Sequence, residues 1–478
     1  MRAGAVQALA QLVGLALAVG ISVVISHRLG ASPEADAFYL GRRLVTGLQE
    51  ILVQVLSLVF LPMVAMQASS RGVAKLAMWV ALGGIAIALV FALSAHFVVA
   101  AIAPTLTGDA AVLAERVIIV LSASLPLALL GVLAGSALNL AGWFAWPAIL
   151  RLLPRVLVLT VFLLALGAQA SVTWAAFAFV GGNAVALLLM VPFVRSGPVV
   201  PSARPQIGAA LLLVVGAQAA LWFESALAAR TGVGGVALLE MAQRVGALLG
   251  NTLALAVLVP VFAKWTGSPK LRTPLNFWRT VAGGLTVLIL VQGTVIYNAP
   301  KIVDHILGQG ALGAAAQAEL TPILIVMGFA PFATFLSRAF LIWVLTRQGK
   351  NALGIVALAV LIDLAVRAGV GVWLLPSLGV GAVALGMVLG PSAVALLLWA
   401  QNKADLRAAR LSLAPLLGAG LGLLAVVGSG IVLAVVVPWL GSTQAVPTLV
   451  LIAVSGVIGM AVTVLWIWWR NALWVFKF

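Results

Sequence analysis

LAMWVALGGIAIALVFALSAHFVVAAIA, residues 76–103, runs for 28 residues with one ionisable side chain, His96. A helix of about 20 apolar residues crosses the hydrocarbon core of a bilayer, so this stretch reads as a transmembrane helix with turns to spare. Runs of the same kind, bounded by Gly, Pro and charged clusters, extend on both sides. They cover 4–26, 37–65, 112–140, 146–166, 172–194, 207–229, 236–262, 277–297, 320–345, 353–375, 380–400, 414–440 and 446–469. The expected fold is an all-α polytopic membrane protein of about fourteen spans. No soluble domain fits between them.

Composition agrees. The chain is 64% hydrophobic and 8% charged, with mean hydropathy +1.23, whereas soluble domains are about 45–50% apolar and about 25% charged. The net charge of +16 would point to nucleic acid in a soluble protein, but in a membrane protein Lys and Arg gather in cytoplasmic loops. With the amino terminus inside, sixteen of the 27 basic residues, from Arg2 through Arg71 and Lys75 to Lys477, fall on the cytoplasmic side. The opposite side has only Arg28, Arg230 and Lys301. Both termini are therefore expected in the cytoplasm, and no nucleic-acid partner is expected. Absence of cysteine excludes disulfides and thiolate metal sites, and His27, His96 and His305 are too scattered for a ligand set. Neither metal nor cofactor is expected. The first apolar stretch lacks a small-residue cleavage site and reads as a retained span. There is no G-x-x-x-x-G-K-[ST] loop, so coupling to ATP within the chain, and an enzymatic role, are not expected.

Eight arginines lie within spans: Arg42, Arg43, Arg116, Arg151, Arg155, Arg244, Arg338 and Arg367. An Arg at a helix centre costs about 2.5–3.5 kcal/mol on insertion scales, so such residues face a cavity or a partner. Arg116, beside Glu115 near a span start, and Arg151 and Arg155, near a cytoplasmic end, are expected to anchor the interface by snorkelling. Arg367 follows Asp363 by one helical turn and is expected to pair with it. Arg42, Arg43, Arg244 and Arg338 remain. The acids near them are Asp36, Glu50, Glu224 and Glu240, too few to neutralise every in-span cation. Surplus guanidinium favours a phosphate-bearing anion, which Arg grips through paired hydrogen bonds. The alternative is a charge network that only joins helices.

The chain also resembles itself weakly. Residues 58–65, LVFLPMVA, and 256–263, AVLVPVFA, lie 198 positions apart, each four to five turns after a basic residue, Arg43 and Arg244. This spacing predicts a parallel repeat of two six-helix lobes, 1–200 and 201–405, with two additional helices in 406–478. Chance similarity between apolar spans is the competing reading. Pro62, Pro126, Pro260 and Pro331 are expected to interrupt helices locally.

The stretch His27-Arg28-Leu29-Gly30-Ala31-Ser32-Pro33-Glu34-Ala35-Asp36-Ala37-Phe38-Tyr39 resembles the first loop of the MviN/MurJ lipid II flippase family. Leu138-Asn139 to Trp146-Pro147, Ala242-Gln243-Arg244-Val245, Ser337-Arg338-Ala339-Phe340 and Leu375-Pro376 to Gly381-Ala382 resemble further family motifs, in the same order along the chain. The resemblance implies a flippase of the multidrug/oligosaccharidyl-lipid/polysaccharide exporter superfamily. Such a protein turns a polyprenyl-diphosphate-linked glycan across the inner membrane by alternating access, driven by an ion gradient or membrane potential. Its partners would be that glycan, membrane lipids, a coupling ion and glycan assembly proteins. Arg42, Arg43, Arg244 and Arg338 would bind substrate, and Asp36 and Glu224 would gate or couple ions. Two departures leave the glycan open, as lipid II or an exopolysaccharide precursor. The first span has no basic residue between Arg2 and His27, and Gln49-Glu50 stands where the family has a basic pair. A non-transporting scaffold and a cation-coupled drug exporter are the rival readings.

Overall fold

The computed structural model describes residues 2–65, 70–141, 143, 145–164, 167–194, 207–247, 273–308, 310–347, 352–406 and 462. Among them there is no strand. Two compact units divide the chain, Met1–Glu240 and Met241–Phe478. The expected span 414–440, all of 446–469 but residue 462, residues 248–262 of the span 236–262, and residues 256–263 of the repeat lie outside the described residues.

The first unit is built from α1 (Arg2–Arg28), α2 (Pro33–Ala65), α3 (Ser70–Ile102), α4 (Asp109–Ser122), α5 (Ser124–Leu140), α6 (Ala145–Leu150), α7 (Leu153–Leu163), α8 (Ala168–Met190) and α9 (Ile207–Arg230). Helix α10 (Gly235–Gly246) carries the chain from the first unit into the second. The second contains α11 (Pro274–Tyr297), α12 (Ala314–Met327), α13 (Ala330–Arg347), α14 (Ala352–Leu378) and α15 (Val380–Leu406). Eight helical stretches among the described residues are long and apolar enough to cross a membrane, and each coincides with an expected span; Gly72–Ile102 corresponds to the apolar run at 76–103. On α3, Met78, Trp79, Leu82, Leu89, Leu93 and Phe97 are exposed. A soluble protein rarely leaves so large an apolar face uncovered; lipid is the solvent that suits it.

Breaks within spans have local causes. Asp109–Asn139 is one span in two helices, α4 and α5, that meet at Ala123. Pro126 cannot donate to the Ser122 carbonyl, and Ser124 Oγ lies 2.6 Å from the Leu121 carbonyl oxygen. Pro331 stands in the first turn of α13, after the interruption at Gly328-Phe329.

In the second unit the core is aromatic: Phe277, Trp278, Phe335, Phe340 and Trp343 pack between α11 and α13. Phe277 lies 5.1 Å from Trp343 and 5.2 Å from Phe340, ring centre to ring centre. Helix α15 packs against α12, α13 and α14. Asp363 and Arg367 make the expected ion pair at 2.9 Å on α14, and Gly390 of α15 leaves room for both side chains.

Candidate functional site

The motif that carries the first resemblance is a turn. Gly30 adopts φ 60°, and its N–H reaches the Ile25 and Ser26 carbonyls at 3.2 and 3.1 Å, which closes α1 in the left-handed conformation that glycine adopts without penalty. Ser32 Oγ accepts the Ala35 N–H at 3.3 Å, and Pro33 opens α2. Arg28 turns back to the end of α7 and donates to the Leu164 and Leu163 carbonyls at 2.6 and 3.0 Å, a cation on a helix carboxyl end.

From this turn α2 enters the first unit among α4, α5, α8 and α9. Its buried polar residues are Asp36, Arg42, Arg43, Thr46 and Gln49. Spacings of three, four and seven place most of them on one side, the reverse of a soluble amphipathic helix, whose polar face looks outward. Three groups of contacts result.

Nearest the turn, Asp36 is 2% exposed. Its Oδ2 accepts the Gly234 N–H at 2.6 Å and its Oδ1 the Ala237 N–H at 2.8 Å. The carboxylate thus caps the amino end of α10, where the helix dipole and unpaired N–H groups favour an anion. Gly234 meets this demand because φ is +89° and a Cβ would come within 2.8 Å of the Ala31 carbonyl oxygen.

One to two turns on, Arg43 joins two carboxylates from different helices. Nη2 lies 2.6 Å from Glu224 Oε2 on α9, and Nη1 lies 2.9 Å from Glu240 Oε2 on α10. All three side chains are less than a tenth exposed. Gln49 sits deeper. Ser124 Oγ donates to Gln49 Oε1 at 2.9 Å, and Gln49 Nε2 donates to Asn183 Oδ1 at 3.5 Å. A neutral knot between α2, α5 and α8 occupies the region where the resemblance places a basic pair.

Arg42 faces elsewhere, into a cavity lined by Ile21, Phe38, Arg42, Thr46, Leu121, Arg155, Val158, Ala175 and Phe179. Thr46 Oγ1 is held by the Arg42 carbonyl at 2.7 Å. Two guanidinium side chains and no carboxylate line this space. The room open to the centre of a water molecule is ≈ 10 Å³, so the cavity is closed to anything larger than water.

The remaining in-span arginines divide. Arg116 is exposed, as an interfacial anchor requires, while its neighbour Glu115 pairs with His96 at 2.8 Å. Arg151 is exposed too. Arg155, expected as an anchor of the same kind, instead lines the cavity beside Arg42; sequence spacing does not separate it from Arg151. Arg244 is half-buried in the last turn of α10. Arg338 is half-buried on α13. Among the described residues, Asp36, Arg42, Arg43 and Glu224 belong to the first unit, and Arg244 and Arg338 to the second.

No family model and no curated protein matches the sequence. Solved structures do match the fold. The lipid II flippase MurJ in an inward closed conformation superposes with TM-score 0.74 at 16% identity, covering 98% of this chain and 99% of that one. An inward-facing multidrug resistance MATE family transporter of the MOP superfamily gives TM-score 0.66 at 16% identity, with 84% and 98% covered. A MOP superfamily transporter from Pyrococcus furiosus, reported with a binding pocket of reversed polarity, gives 0.56 at 15% identity, with 85% and 96% covered. The chain is thus a multi-pass helical membrane protein with the fold of these MOP superfamily structures, and along nearly its whole length it is similar to MurJ.

Proposed function

We propose that the protein is a flippase that moves a polyprenyl-diphosphate-linked glycan across the bacterial inner membrane by alternating access, both termini lying in the cytoplasm. The cavity that Arg42 lines carries this reading: it contains guanidinium side chains, no carboxylate and otherwise mostly apolar walls, which suits an oxyanion attached to a lipid. A cation-coupled drug exporter needs carboxylates facing its cargo. Here Glu224 and Glu240 are held by Arg43, and the arginines at the cavity repel cationic drugs.

In this reading Arg42, Arg244 and Arg338 contact substrate at successive stages. Arg43, committed to Glu224 and Glu240 in the present conformation, joins them when that contact opens, so that Glu224 gates the cycle together with Asp36. The predicted repeat of two lobes, 1–200 and 201–405, with 406–478 added to them, is kept in this reading. One contact fits the repeat: Asp36 and Gly234 lie 198 positions apart, the offset at which the sequence resembles itself.

Reconstitution in proteoliposomes with a fluorescent polyprenyl-diphosphate saccharide, quenched from outside, measures flipping directly. Arg42→Ala is expected to slow the initial rate about tenfold or more, the loss of one charge-assisted pair, at unchanged insertion. An unchanged rate removes Arg42 from the substrate's path, and a wild-type protein that flips nothing is a scaffold. Depleting a cell's own lipid II flippase then identifies the glycan: rescue by this protein establishes lipid II, and growth arrest despite full expression removes it.

A further inference from the structure

The second guanidinium at the cavity comes from α7. Arg155 Nη1 donates to the Gly14 carbonyl on α1 at 3.0 Å. A Cβ at position 14 would stand 2.9 Å from that same Nη1 and 3.0 Å from Leu152 Cδ2, so the bond depends on α1 presenting bare backbone there. Arg151, one turn earlier and exposed, lies against Gly135 of α5 but does not line the cavity. A cation anchoring the interface points toward water and lipid head groups. Arg155 points inward, to a cavity that Arg42 also lines and whose remaining walls are Thr46 and apolar side chains. Helix α1 itself supplies no cation to this region, having no basic residue between Arg2 and His27.

A carbonyl oxygen offers the guanidinium one neutral acceptor, while a diphosphate offers charged oxygens in pairs that match its fork. Such an anion is a stronger partner for a guanidinium than a carbonyl once the helices around the cavity part. We infer that Arg155 is a substrate-contacting residue that grips the diphosphate together with Arg42, and that the Gly14 carbonyl holds its guanidinium in place in the closed cavity. The inference rests on the flippase reading and names a residue of its site.

Titration calorimetry on the full-length protein in detergent tests it, with farnesyl diphosphate and inorganic pyrophosphate as probes. Gln at 155 keeps an N–H donor for Gly14 but no charge; Lys keeps the charge without the fork. Arg155→Gln and Arg155→Ala are expected to weaken farnesyl diphosphate about tenfold or more, with Arg155→Lys in between. A residue that merely ties α7 to α1 predicts the opposite order, with Gln close to wild type, and that result overturns the inference. If Arg42→Ala weakens binding while Arg155→Gln does not, Arg155 loses its role and the flippase reading stands. If wild type binds neither probe, both fall together. Matching losses with pyrophosphate place the contact on the diphosphate; losses confined to farnesyl diphosphate, with pyrophosphate binding unchanged, take Arg155 off the diphosphate and overturn the inference.

Discussion

Arg43→Ala is expected to lower the stability of the protein by about 3–5 kcal/mol, the cost of removing one partner from a buried ion pair. The substitution leaves Glu224 and Glu240, 4% and 6% exposed, without the guanidinium that both now contact. Two carboxylates in a dry interior cannot remain charged without compensation, so the unit either unfolds more readily or loosens where α2 meets α9 and α10. Thermal unfolding in detergent, followed by size-exclusion fluorescence, reads this as a large fall in Tm. The triple variant R43L/E224L/E240M is expected to recover most of it, because replacing a whole buried ionic cluster by apolar side chains is often neutral or stabilising. That variant also separates stability from mechanism. Folded but slow in flipping, it supports a gate built on the opening of the Arg43 contact; folded and fast, it removes Glu224 from the cycle. Arg43→Ala with wild-type Tm would mean that water or a shift of α2 already offsets the charges.

How much of such a site is legible in the sequence depends on how far apart the interacting residues lie. The spans are legible because a bilayer demands long apolar helices, whatever they pack against. The pair Asp363–Arg367 is legible because both partners share one helical turn. The turn at 27–39 shows itself through Gly30, Ser32 and Pro33, whose backbone preferences are local. The Arg43 cluster is not legible, since its partners stand 181 and 197 positions away and only packing decides which of the acids arrives. Arg151 and Arg155 look alike in spacing, and each lies against a glycine of another helix, Gly135 and Gly14; what separates them is the cavity that Arg155 lines. Gln49 stands out in the sequence only as a missing charge, while its partners Ser124 and Asn183 come from α5 and α8.

Asp36→Ala is expected to cost about 2–6 kcal/mol, because it orphans two buried N–H donors at the start of α10, each worth about 1–3 kcal/mol, in a setting where water cannot replace the carboxylate. Gly234→Ala strikes the same contact from the other side, through the backbone at φ +89° and the crowding against Ala31, and is expected to lower Tm as well. Asp36→Asn is the informative variant. Its one remaining side-chain oxygen can still accept a single N–H, so the fold is expected to survive with a smaller loss. If Asp36 also couples ions, Asp36→Asn abolishes the dependence of flipping on a proton or sodium gradient while substrate binding persists. A flipping rate that still follows the gradient would leave Asp36 as a cap and move coupling elsewhere. The cap itself limits how the gate can work. Because Asp36 holds α10 by its first turn, α2 and that end of α10 separate only if the carboxylate gives up both backbone bonds at once, and the energy that protonation or a cation would have to supply is the energy the Ala variant measures.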